Sequence, residues 1–107
     1  MKDSQAAPPP ADAPLPELLH SRGRLLILCQ LVRAGTLPFT ELRALVGMSD
    51  GTLSVHLSRL QAGGVVAIEK GFVGKKPRTV VRLTDDGARR FRDYVEELRR
   101  LVPGLGD

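Results

Sequence analysis

The chain has 107 residues, a formal net charge of +4 and one cysteine, Cys29. That length provides one modest core and little room for an active-site cavity between domains, and a lone cysteine excludes an intrachain disulfide and a cysteine-based zinc cluster. No apolar run approaches the roughly 20 residues that span a bilayer, and prolines occupy residues 1–16 where a signal peptide needs its apolar segment, so a cytoplasmic protein is expected.

Residues 1–14, MKDSQAAPPPADAP, hold nothing large to bury, so ordering them has no compensation and a disordered tail is expected. From Leu15 the texture changes. Leu25, Leu28, Leu31 and Val32 recur at helical spacing up to Gly35, which predicts a helix over residues 21–34 with Ser21 as its cap and Gly23 as a weak point in continuity. Residues 36–39 have room for a short extended piece. Thr40 is expected to cap a brief helix carrying Leu42, Leu45 and Val46, which ends at Gly47. After the Gly47-Met48 turn, Ser49 caps a helix in which Leu53, Leu57 and Leu60 form a narrow apolar stripe, stopped by Gly63 and Gly64. Two helices joined by a short glycine-containing turn make a helix-turn-helix.

The period then shifts to two. Val66 and Ile68 share one face of a strand, Val81 and Leu83 one face of another, and Gly71, Gly74 and Pro77 lie between, which predicts a hairpin with a long basic tip. Thr84 caps a last helix that opens with Asp85 and Asp86, the charge sign favoured at a helix N-terminus. Its apolar face is Phe91, Tyr94, Val95, Leu98 and Leu101, and residues 103–107 are expected to be a flexible end. The hairpin carries Lys70, Lys75, Lys76, Arg78 and Arg82 with no acid between Lys70 and Leu83. These five charges exceed the net charge of the whole chain, so the basicity is local and points to an anionic partner, nucleic acid first.

The order helix, short helix, turn, helix, hairpin, helix is that of a winged helix-turn-helix, mainly α with a small antiparallel hairpin. The run SDGTLSVHLSRLQAGGVVAIEKGFVGKKPRTVVRLTDDG, with LHSRGRLLILCQLVRAGTLPFTELRALVGM before it, resembles small MarR/ArsR-like winged-helix transcriptional regulators of prokaryotes. The similarity is carried by a serine-capped recognition helix and a K-G-F-x-G-x-K-P-R-T wing, and it covers about residues 15–101. One departure is Arg22, where relatives often have proline. The resemblance implies a homodimer that binds duplex DNA and regulates transcription, with residues 15–102 as the DNA-binding and dimerisation domain.

The residues support that expectation physically. With its leucines inward, the third helix turns Thr52, Ser54, Val55, Ser58 and Arg59 outward, mostly short side chains that allow close approach to base edges in the major groove. Gly51 leaves the first turn unobstructed, and the helix N-terminus offers N–H groups to a phosphate. Lys75, Lys76 and Arg78 supply charge to the backbone or the adjacent minor groove. Thr40 and Ser49, at the starts of their helices, complete the expected DNA contacts. For dimerisation the expected set is Leu15, Leu18, Leu19, Phe91, Tyr94, Val95, Leu98 and Leu101, an apolar face larger than one subunit needs. The other reading of the fold is a protein-binding winged helix without DNA.

Competing roles are weaker. His56, between Val55 and Leu57, reads as a half-buried helix residue ahead of a phosphate contact or a metal ligand, and with His20 the only other histidine no metal site is expected. Cys29 among Leu25, Leu28 and Val32 reads as a small core hydrophobe; a redox-sensing thiolate would need exposure and a lowered pKa. The GFVGKK stretch lacks phosphate-loop spacing, with Glu69 and Lys76 where glycine and Ser or Thr are required. No catalytic trio stands out from chance spacing, so neither catalysis nor a cofactor is expected, and no small-molecule effector site has a visible signature.

Overall fold

The computed structural model describes residues 21–105; the tail over residues 1–14, together with Leu15, Leu18, Leu19 and His20, lies outside them. The element order is α1 (Arg22–Ala34), β1 (Thr36–Pro38), α2 (Phe39–Val46), α3 (Asp50–Ala62), β2 (Val66–Val73), β3 (Lys76–Leu83) and α4 (Asp85–Leu101). Ser21 opens α1 as its composition predicts: the hydroxyl accepts from the N–H groups of Gly23 and Arg24 at 3.1 and 3.4 Å, satisfying two donors that have no partner inside the helix. Arg22 is the first helical residue.

The second helix departs from expectation. It begins at Phe39, with Pro38 in the cap position and no side-chain cap bond, so Thr40 is its second residue and not its cap. Pro38 takes this place because its fixed φ of −60° and extended ψ of 146° turn the chain out of β1. That extended piece is itself a strand: β1 pairs antiparallel with β3 (Leu37 opposite Val81), giving a three-stranded sheet in the order β1-β3-β2 around the expected hairpin.

One core holds these layers together. Ile27, Leu28 and Leu31 of α1, Leu42 of α2, the three α3 leucines, Val65, Val66, Val81, Leu37 and Phe91 are all buried and in mutual contact. Full burial of each such side chain is worth about 1.5–3 kcal/mol, so the sheet and all four helices share one apolar interior. Leu45 and Val32, grouped with the apolar periodicity of their helices, instead face solvent at about half exposure. Cys29 is half-buried, packed against the core from its margin.

Helix α4 is anchored at its first turn. The Thr84 hydroxyl donates to the carbonyls of Gly64 and Val65 at 2.8 and 3.0 Å and accepts from the Gly87 N–H at 2.8 Å, tying the helix start to the end of α3. Arg90 donates to the Gly63 carbonyl at 2.8 Å and to Asp86 at 3.3 Å, and Arg89 also pairs with Asp86. Arg89 first, then Arg90, holds the Asp86 carboxyl below its ordinary range. Gly87 is indispensable for a steric reason: a methyl there would lie 2.2 Å from the Val65 carbonyl oxygen, a backbone atom already fixed by the Thr84 N–H. Gly87→Ala is expected to destabilise the fold by about 1–3 kcal/mol despite alanine's better helix propensity; chemical denaturation checks this, and an unchanged or raised midpoint would refute the packing described.

Beyond that anchor burial along α4 falls off toward its C-terminus. Gly87 and Phe91 are its buried residues. Phe91 therefore belongs to the subunit's own core, a correction to its expected place on a dimer face. Tyr94 and Val95 pack partly against that core, Leu98 is half-buried, and Leu101 is 69% exposed. Residues 103–105 form a turn in which the Leu105 N–H reaches the Val102 carbonyl at 3.3 Å. No helix among the described residues is long and apolar enough to cross a membrane.

Candidate nucleic-acid interface

The three residues between α2 and α3 set the angle of the second helix. Gly47 is left-handed at φ 69° and its N–H closes back on the Arg43 carbonyl at 2.9 Å. Ser49 then caps α3, accepting from the Thr52 N–H at 3.2 Å and donating to the Thr52 hydroxyl at 3.0 Å. Arg43 reaches across the turn to Asp50 at 3.3 Å, which clasps the two helices and offsets the one carboxylate in the first turn of α3.

With Leu53, Leu57 and Leu60 at 0–1% exposure, helical geometry turns the opposite face outward. Ser49, Gly51, Thr52, Ser54, Val55 and Ser58 are all exposed, Val55 at 56%. Thr40 is exposed as well. Arg59 is half-buried, so it flanks the outward face and does not lie at its centre.

The hairpin beyond α3 is more regular than its glycine and proline content indicates. The ladder continues to the pair Val73 and Lys76, leaving Gly74 and Lys75 as a two-residue turn in place of a long loop. Gly74 has φ 63° and no non-glycine residue described has positive φ, which matches the type II′ requirement of glycine at the first central position. Strand alternation puts Lys76 and Arg78 on one face with Gly71, which stands opposite Arg78 and leaves its side chain unobstructed. Arg82 is paired with Glu69 at 3.3 Å. Lys70, Lys75, Lys76 and Arg78 are exposed and make no ion pair among the described residues. A shallow cleft of about 440 Å³ runs between these wing residues and the start of α2, lined by Phe39, Thr40, Lys76 and Arg78 among others.

Sequence reasoning missed what seats α3. Gly23 of α1 lies against His56: a methyl there would stand 2.7 Å from His56 Nε2 and 3.0 Å from Met48 Cε. Arg24 Nη1 lies 3.4 Å from His56 Nδ1. Gly23 is thus a contact point between helices, and the lone signal for it was a glycine that helix propensity disfavours. Burial first, then Arg24 and Arg59, pushes the His56 pKa below its ordinary 6.5. Between that lowered value and 6.5 the unfolded chain binds the proton that the folded chain resists, so the His56 contribution to stability is complete above pH 6.5 and is lost as pH falls through 6.5 toward the folded value. His56→Gln is expected to flatten that part of the curve. Melting temperatures of the two proteins between about pH 8 and 5 give the test, and parallel curves would refute it. Among the described residues no cluster of three His, Cys, Asp or Glu could hold a metal.

A helix pair joined by a three-residue turn, with a basic hairpin projecting beside the second helix, defines a winged helix-turn-helix. The chain belongs to the winged helix DNA-binding domain family, whose model matches residues 24–102. It is similar to an uncharacterized protein of Methanocaldococcus jannaschii, 27% identical over 89 residues that cover 83% of this chain and 97% of that protein. The solved structure of a transcriptional regulator homologue from Pyrococcus horikoshii superposes with a TM-score of 0.71 at 28% identity, covering 87% of this chain and 97% of that one. A MarR-family transcriptional regulator from Silicibacter pomeroyi does so with a TM-score of 0.63 at 26% identity, over 85% of this chain and 63% of the other.

Proposed function

We propose that this protein is a homodimeric, sequence-specific regulator of transcription acting inside the cell, with α3 in the major groove and the wing on the backbone or in the adjacent minor groove. The observation that carries the reading is the division of α3: its leucines are fully buried in the subunit while Thr52, Ser54, Val55 and Ser58 are exposed on the other side, beside wing cations that make no ion pair among the described residues. Short side chains let the helix axis approach base edges, and the Ser49-capped N-terminus of α3 and Thr40 of α2 stand ready for phosphates. Lys75, Lys76 and Arg78 would each displace condensed counterions.

Dimerisation is supported by α4. Leu98 and Leu101 extend its apolar face past the subunit's own core, and Val102 and Leu105 in the turn that follows leave further apolar surface open, the last three at 39–69% exposure. An amphipathic helix left this way gains by pairing with its two-fold copy, and Tyr94 and Val95 border the same face. Titration of fluorescent duplex DNA with the full chain tests the function: binding should weaken by orders of magnitude from 50 to 200 mM salt. Absence of binding at the lower salt would overturn it.

A further inference from the structure

The most exposed large apolar side chain of the described residues has no part in the proposed major-groove contact or dimer face. Phe72, on the wing, is 73% exposed, its neighbour Val73 is 55% exposed, and Pro77 stands directly opposite Phe72 in the ladder. Alternation places Phe72 and Pro77 on the sheet face that carries Ile68 and Val81 toward the core. Strand β1 stops opposite Val80, however, so no third strand accompanies the hairpin beyond it, and the aromatic ring stays largely open to solvent.

Its surroundings indicate what covers it. Lys70 shares the face of the Phe72-Pro77 pair, Lys75 stands in the turn beyond it, and Lys76 and Arg78 flank Pro77 in the strand from the opposite face, all four exposed and without ion pairs among the described residues. A partner with an apolar pocket alone would have to strip water from these cations, whereas a polyanion with apolar surface between its charges satisfies both. The minor groove of duplex DNA is such a surface: phosphates line its walls, and sugar faces and base steps form its interior, into which phenylalanine and proline are known to insert as wedges.

We infer that Phe72 is an apolar wedge that enters the minor groove flanking the α3 site and partly unstacks a base step, with Pro77 behind it. This rests on the DNA-binding reading and deepens it: the cations hold the wing to the backbone, while Phe72 makes binding favour steps that unstack easily, such as TA and CA/TG. Sequence preference would then extend beyond the bases that α3 touches.

The test uses the full chain and a duplex recovered by it from a random pool, with TA steps placed in the flanks. Permanganate oxidises unstacked thymines. The wild-type complex should show enhanced oxidation at a flanking step, Phe72→Ala should abolish it and weaken binding about tenfold, and Phe72→Leu should retain part of both. Because no charge is removed, the salt dependence should stay the same. Phe72 lies outside the core, so all three proteins should melt alike. Wild-type binding without enhanced oxidation, oxidation that survives in Phe72→Ala, or a changed salt slope would overturn the wedge while leaving DNA binding intact. Failure of the wild type to bind any duplex would remove both readings.

Discussion

Replacing Lys75, Lys76 and Arg78 together with alanine is expected to weaken duplex binding by on the order of 10³–10⁵-fold near 0.1 M salt, the largest effect foreseen for any surface change in this protein. Each of these cations is exposed and free of ion pairs among the described residues, so removing it costs the fold little. A dimer carries two wings, and if each charge meets a phosphate the slope of log affinity against log salt becomes shallower by about 5. Arg82→Ala makes the contrast, because its guanidinium is already engaged by Glu69 at 3.3 Å and its loss should change the slope little. Salt titrations of the three proteins separate these outcomes. A triple variant with an unchanged slope would mean that the wing does not touch the backbone.

Leu98→Asp combined with Leu101→Asp is expected to raise the dimer dissociation constant more than a hundredfold. Neither leucine is buried in the subunit, Leu101 being 69% exposed, so the monomer should keep its fold and melt near the wild-type temperature. Two carboxylates forced into an apolar two-fold interface would be desolvated without partners, each at a cost of several kcal/mol. DNA affinity should fall with dimerisation, since one recognition helix reads only half of a symmetric site. Sedimentation gives the direct answer. Equal behaviour of wild type and variant would shift the interface elsewhere, and a wild type that stays monomeric at micromolar concentration would end the dimer proposal.

Local features of this fold were legible because their physics is local. Ser21, Ser49 and Thr84 accept from N–H groups two or three residues ahead, and the leucine spacing of α3 follows from helix geometry alone. Pairing of β1 with β3 was not legible. Thr36 and Arg82 meet across 46 positions of sequence, and nothing in three residues of strand announces such a partner. The Gly87 contact with the Val65 carbonyl and the Gly23 contact with His56 are likewise tertiary facts. Periodicity identifies the apolar stripe of α4 but not how far along it the subunit's own core reaches, and Phe91 lies within that reach. On α3 the outward side is readable by subtraction from the leucines, whereas the half-buried state of Arg59 is not, because it depends on packing that spacing does not reveal.

If the exposed face of α3 reads bases in the major groove, selection of bound duplexes from a random pool by the full chain should show it. A near-palindromic site should be enriched, with half-sites about one helical turn, roughly 10–10.5 base pairs, apart. A Ser54→Ala, Ser58→Ala variant should enrich a different or degraded half-site. A pool that returns unenriched at low salt, or the same site selected with equal stringency by that variant, would contradict base reading by α3.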